Sequence, residues 1–204
     1  ARGGGLCEVL TRRRPVKTGG GGGGGGGRGG MPAPPPPGLY GATGNGGWRV
    51  LRRNTGFYGA DYLLRAMVAL AGIGANLPQD SVYAPAFADS AGKPLDGQNS
   101  YRIHFGKDRL PPVLAFWSIT LYNQEGYLAE NPLHRYAVSP HLGSLAYNDD
   151  GSLDVFVGPA APGVNLLPNW LPAPSGNFNL VLRLYWPGRP VLDGRWQPPP
   201  IVKQ

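Results

Sequence analysis

The chain of 204 residues holds one cysteine, Cys7, so no intrachain disulfide can close and no cysteine-based metal site can form in the rest of the protein. Histidine is almost as scarce. His104, His134 and His141 are the only imidazoles, and no pair of them has metal-ligand spacing, so neither a metal nor a cofactor is expected. Charged residues make up only 15% of the chain. No apolar stretch approaches the roughly 20 residues that span a bilayer. No apolar run follows the basic start, so no signal peptide is visible. His-Glu-x-x-His, Gly-x-Ser-x-Gly, the dinucleotide fingerprint and the phosphate-binding loop are all missing, which removes the commonest signatures of hydrolases and nucleotide enzymes.

Glycine and proline are abundant, with 34 and 23 residues. Gly19 to Gly27 is an unbroken run, and prolines gather at Pro34 to Pro37 and Pro198 to Pro200. Runs of this kind bury little apolar surface and cannot offset the entropy of ordering. Residues 1–38 therefore read as a disordered, basic, low-complexity leader and 39–47 as a flexible linker. Residues 48–204, opening at Trp48, read as one domain. Up to Gly30 there are six basic residues and one acid, a net of +5 out of the chain's +7, which leaves the domain near balance at +2. A basic globular surface for nucleic acid is not indicated.

Within the domain, Phe57 to Ile73 has helical periodicity and good helix formers. Asp61 and Arg65 stand four apart in the order that favours a surface pair. Gly72, Gly74 and Pro78 stop the segment. Its wide apolar face predicts packing against a sheet. From Ser81 onward the pattern is one of short strands between turn signals: 81–88, 100–105, 113–122, 135–138, 145–147, 153–157 and 178–186. Asn148-Asp149-Asp150-Gly151 predicts a hairpin turn. Val113 to Leu121 is apolar on both faces, which predicts a central strand with Phe116 and Trp117 buried. In 178–186, Phe178, Leu180, Leu182, Leu184 and Trp186 fall on one side. The expected fold is mainly β: a jelly-roll-like β-sandwich with one N-terminal helix packed on it.

Period-two alternation also nominates a site. Arg102 and His104 lie opposite Tyr101, Ile103 and Phe105. Ser118, Thr120 and Tyr122 share a face, as do Asn179, Arg183 and Tyr185. If these strands share a sheet, Arg183, Tyr185, Tyr122, His104, Arg102 and Asn179 line one polar face. Rings that stack on a sugar, beside groups that bind its edges, suit a glycan or a small anionic ligand. An Arg on a strand this apolar needs a partner, either a ligand or an internal acid such as Asp193. In Asn169 to Pro174, two prolines fix a loop that holds Trp170, either as a plug on the sandwich end or as a ligand platform. Asp149, Asp150 and Asp154 are the only close acids that a glycosidase pair would draw on.

Several segments resemble a known family when taken in order: Tyr58 to Ala66, Leu110 to Tyr122, Asn131-Pro132 with Arg135-Tyr136, Asp150-Gly151-Ser152, the Asn169 to Pro174 loop, Leu182 to Tyr185, and Leu192-Asp193-Gly194 with Trp196. Together they are similar to the domain-of-unknown-function family DUF1214, over about Trp48 to Val202. The resemblance implies a jelly-roll sandwich in an exported bacterial protein, usually following a partner domain of the DUF1254 type. This chain departs from the family pattern after Arg135-Tyr136, where it reads Ser139-Pro140-His141. Two function classes follow. One is a carbohydrate-directed module, binding or hydrolytic, that uses the polar sheet face. The other is a non-catalytic structural or accessory domain that packs on a partner. The resemblance carries a fold and no established activity.

Overall fold

A computed structural model of the chain describes residues 46–52, 55–71, 75–143 and 145–204. The leader (1–38) and all of the linker except Gly46 and Gly47 lie outside the described residues.

Among the described residues, eight strands form two four-stranded sheets. The first sheet contains β1 (Ser81–Ala86), β7 (Phe178–Tyr185), β3 (Trp117–Asn123) and β4 (Ala137–Val138), in that order and all antiparallel. The second contains β6 (Trp170–Pro172), β5 (Leu153–Gly158), β2 (Tyr101–Phe105) and β8 (Ile201–Lys203), with only the β5–β6 pair parallel. The inward residues of both sheets merge into one apolar cluster. β7 supplies Phe178, Leu180, Leu182 and Leu184, and β3 supplies Trp117, Ile119 and Leu121. Tyr101, Ile103, Phe105, Val155 and Leu171 face them from the second sheet. Rings meet in this cluster, Phe105 with Trp117 at 5.4 Å and Tyr101 with Phe178 at 5.8 Å between centroids. This is the expected jelly-roll-like sandwich, and alternation in its five longer strands is its cause: from β1, β2, β3, β5 and β7 one set of alternate apolar side chains leaves water.

Gly46 already touches the sandwich, its carbonyl accepting the Ile201 amide at 3.1 Å, and the first buried side chain among the described residues is that of Trp48. Its indole is buried and donates to the Pro199 carbonyl at 2.7 Å, while the Arg49 amide bonds Pro85 O at 2.8 Å. The turn Asn148 to Gly151 closes as expected. The Asn148 amide reaches Ser152 O at 2.9 Å, and Gly151 takes the left-handed φ of 80° that the turn requires. At Gly97 a different constraint acts, because a Cβ there would lie 1.7 Å from the Pro174 carbonyl oxygen.

Several expectations need correction. The first helix, α1 (Tyr62–Ala71), starts later than periodicity suggests. Asp61 caps it, its carboxylate accepting the Leu64 amide at 2.9 Å, and the Arg65 guanidinium leans on the Tyr62 ring rather than pairing with Asp61. What α1 shelters is a narrow stripe, Leu64 with the half-buried Met67 and Val68, whereas Tyr62 and Leu63 are each 71% exposed. Leu145 to Tyr147 is not a strand. Tyr147 makes a lone bridge to Leu153, and the buried Asn169 amide holds Ala146 at both its N–H and its C=O. The Pro198 to Pro200 run is not idle: Pro198 is buried, and the run delivers Ile201 into the core at the start of β8. β6 also escapes the sequence pattern because it is only three residues long. Trp186 is 61% exposed because the chain leaves β7 with a left-handed φ of 50° at that residue. A second short helix, α2 (Arg189–Leu192), follows it. Phe116 stands just before β3 and outside the core, half-buried against Tyr185.

β3 is flanked on both sides, by β7 and β4, and its Trp117 is largely buried. Replacing it tests that placement. Trp117→Ala should lower stability by about 3–5 kcal/mol in urea unfolding, the usual range for deleting a buried large aromatic. A loss below about 1 kcal/mol would contradict an interior strand.

Candidate functional site

The outward face of the first sheet is where the nominated residues converge. Register places Tyr83 of β1 and Ser118 of β3 on either side of Arg183. Ser81 faces Tyr185, and Tyr122 faces Asn179. The Arg183 guanidinium runs along the sheet, and Nη2 donates to the Tyr122 hydroxyl at 2.7 Å. Its carbon lies 5.5 Å from the Tyr122 ring centre and 5.8 Å from that of Tyr83. Ser118 and Thr120 are both buried beside it on the same face. Among the described residues no carboxylate pairs with Arg183, and Tyr122 alone accepts one of its five N–H donors. Asp193 is taken by Arg195, with 2.7 Å between Nη2 and Oδ2, which holds the Asp193 carboxyl below its ordinary range. Asp193 is therefore not the partner of Arg183.

An aromatic wall continues from the arginine. Tyr185 meets Tyr83 edge-on at 6.2 Å and stacks on Phe116 at 4.5 Å, and His141 meets Phe116 edge-on at 5.0 Å. His141 stands in the Ser139-Pro140-His141 segment, where the sequence departs from the family pattern. At the other edge the Asn76 amide donates to Ser81 Oγ at 3.0 Å and reaches the Tyr83 hydroxyl at 3.5 Å. The face thus offers a cation with unused donors, flanked by rings.

The structure divides the remaining nominees. Asn179 is on the same face but is buried, with its amide donated to Asn123 O at 3.3 Å, which makes it part of the scaffold. Arg102, His104 and Trp170 belong to the second sheet, so they do not join Arg183. Trp170 is half-buried and tied to the backbone. Its indole donates to Gly158 O at 3.1 Å, and its own carbonyl accepts from Arg135. Tyr83 and Phe116 join this candidate face although the sequence pattern does not nominate them. Tyr83 carries a signal, since it alternates with Val82 and Ala84 in β1. Phe116 carries none, because its role depends on where Tyr185 lands.

The second sheet carries its own polar group. His104 Nδ1 lies 2.8 Å from Asp154 Oδ1, and Arg102 Nε lies 3.7 Å from the same oxygen. Asp150, in the turn beside it, accepts the Ser152 hydroxyl at 2.6 Å and the Ser152 amide at 2.9 Å. Those bonds hold its carboxyl below the ordinary value. A shallow cavity of about 270 Å³ lies apart from both groups, between Asp89, Lys93, Asp96 and Lys203. Its carboxylates are spent on local amides, Asp89 on Ala91 and Lys93, and Asp96 on Gln98. Among the described residues no three His, Cys, Asp or Glu side chains gather as a metal site, and no helix is long and apolar enough to cross a membrane.

The role of Ser152 in lowering Asp150 is testable. A carboxyl lowered on folding stabilises the fold above its ordinary range, and the contribution is lost as pH falls through the lowered value. Ser152→Ala should raise the Asp150 titration toward the ordinary carboxylate value in a carbon-detected NMR titration. An unchanged titration would contradict the Ser152 hydroxyl as the main cause of the shift.

Comparison with known proteins adds a lineage. The crystal structure of the VPA0106 protein from Vibrio parahaemolyticus is similar at 28% sequence identity and a TM-score of 0.58, covering 69% of this chain and 35% of that one. This chain thus spans about a third of the length of that relative. A putative uncharacterized protein from Burkholderia cenocepacia matches at 19% identity and a TM-score of 0.38, covering 64% of this chain and 30% of that one. No curated protein matches. The profile of the protein of unknown function family DUF1214 matches residues 80–189, from the residue before β1 to the first residue of α2, and the chain belongs to that family.

Proposed function

We propose that this domain is a binding module for a small hydroxyl-rich or anionic ligand of the carbohydrate class, such as a sugar acid, held on the outward face of the first sheet. One observation carries the reading. A half-buried guanidinium sits between two tyrosine rings with one hydroxyl acceptor and no carboxylate among the described residues. Guanidinium donors match a carboxylate or a pair of vicinal hydroxyls, and the rings of Tyr83, Tyr122 and Tyr185 suit the apolar face of a sugar ring. Binding is favoured over hydrolysis, which needs two carboxylates flanking the bond. Asp150 and Asp154 sit at the second sheet and already accept hydrogen bonds from Ser152, His104 and Asn148.

A second reading makes the domain an accessory unit that packs on a partner domain, of the DUF1254 type that the family resemblance implies. Its support is an exposed apolar pair: Leu114 is 71% exposed, and its amide bonds the carbonyl of the exposed Trp186 at 2.8 Å. That chain crossing lies beside Phe116 and Tyr185, at the end of the polar face.

Arg183→Met separates the two. Its loss removes one hydrogen bond and two ring contacts, so stability should fall by only about 1–2 kcal/mol. Wild-type protein should bind at least one member of a panel of sugar acids and neutral oligosaccharides in calorimetry, and the variant should lose that binding. Binding that survives in the variant would contradict the proposal. Absence of wild-type binding across the panel would leave the accessory reading.

A further inference from the structure

His104 is the imidazole with the most developed support. It lies on the outward face of β2, directly opposite Asp154 of β5. A carboxylate only accepts, so Nδ1 donates to Asp154 Oδ1 at 2.8 Å, and the neutral ring keeps its lone pair on Nε2. The other oxygen of Asp154 accepts the Asn148 amide at 2.9 Å. Asn148 also donates to Ser152 Oγ at 2.8 Å, and Ser152 donates to Asp150 at 2.6 Å. Four residues thus stand in series behind one ring. The turn itself does not need them, because its backbone bonds Asn148 N to Ser152 O and Gly151 N to Asn148 O already close it.

Exposure differs sharply within the group. The Asp154 side chain is 12% exposed, while those of His104 and Arg102 are each 47% exposed. The carboxylate is sheltered, while the imidazole and the guanidinium are open to solvent. Among the described residues Nε2 of His104 has no protein partner. A ring whose inner nitrogen is fixed by a carboxylate, and whose outer nitrogen is open, has the arrangement of a general base or nucleophile and its orienting acid. Arg102 stands two residues away on the same face, where it can pair with a negative group on whatever approaches.

We infer that His104 is a nucleophilic imidazole oriented by Asp154, at a second site on the sheet opposite Arg183, and that Arg102 selects anionic acyl esters for it. The step balances without a further reactant. Nε2 attacks the acyl carbonyl carbon, and the alkoxide or phenolate leaves with the electron pair of the broken C–O bond. The acyl-imidazolium gives its Nδ1 proton to solvent water. Water then splits the acyl-imidazole, restoring Nδ1–H or Nε2–H and releasing the carboxylic acid, which ionises. Asp154 acts as a positioning residue, and His104 alone is the catalytic one.

The test uses the full chain and two chromogenic acetates, neutral 4-nitrophenyl acetate and anionic 4-acetoxy-3-nitrobenzoate. His134 and His141 remain in every variant and set the background. His104→Gln should lose about a hundredfold or more of the hydrolysis rate, the lower end of the range for a positioned imidazole. Asp154→Asn should lower kcat for both esters and leave KM in place, whereas Arg102→Gln should raise KM for the anionic ester alone. A purely structural Asp154 would change thermal stability without that split. Wild-type rates in His104→Gln, or an unchanged kcat in Asp154→Asn, would overturn the dyad. Equal KM values for the anionic ester in wild type and Arg102→Gln would overturn the anionic class.

Discussion

β7 is the element on which the rest of the structure depends. It lies between β1 and β3 in the first sheet, and its two faces have opposite duties. Phe178, Leu180, Leu182 and Leu184 point inward and are buried against the second sheet, so each adds to the apolar area that drives folding. Asn179, Val181, Arg183 and Tyr185 take the other face. A slip of one residue would carry Arg183 into the core and the leucines into water, a cost no local contact could offset. The same burial that fixes the core therefore fixes the arginine at the centre of the outer face. Tyr83, Ser118 and Tyr122 then follow from the registers of β1 and β3.

The two outer faces differ in how they handle positive charge. On the second sheet, Asp154 holds the His104 ring at 2.8 Å and Arg102 only loosely at 3.7 Å. On the first, Arg183 has tyrosine rings and a hydroxyl in place of an acid. Rings stabilise a guanidinium through their electron-rich faces without neutralising it. The field of Arg183 is thus left directed outward. It favours an anion or a dense set of hydroxyls, and it does so on a strand held rigidly by neighbours on both sides.

Much of the fold is legible in the sequence, and the reason for each failure is physical. Alternation separates the inward and outward residues in 100–105 and, as far as Tyr185, in 178–186, because a half-buried strand imposes a period of two whatever its neighbours are; in 113–122 it does so only from Trp117 onward. Periodicity fixes which face a residue takes. It says nothing of which sheet a strand joins, and that is why His104 and Arg102 group with Arg183 by pattern although the chain puts them on the opposite side. Trp186 breaks the pattern because backbone dihedrals, not hydropathy, end β7. Ile201 hides behind a proline run whose composition argues for a loop, although the edge position of β8 tolerates it. Asn169 has the sequence context of a loop residue. Its burial is explained only by the Ala146 and Asp154 backbone groups that it satisfies, and these meet it through tertiary contact alone.

The central claim is that Arg183 has donors to spare. Side-chain Nε–H NMR reads that directly, since each arginine gives its own signal. In a titration with a sugar acid such as galacturonate, the Arg183 signal should shift and saturate at constant ionic strength. The Arg195 signal, tied to Asp193, should stay in place. A titration in which Arg183 does not move, or moves only as much as Arg195 does, would contradict the central claim.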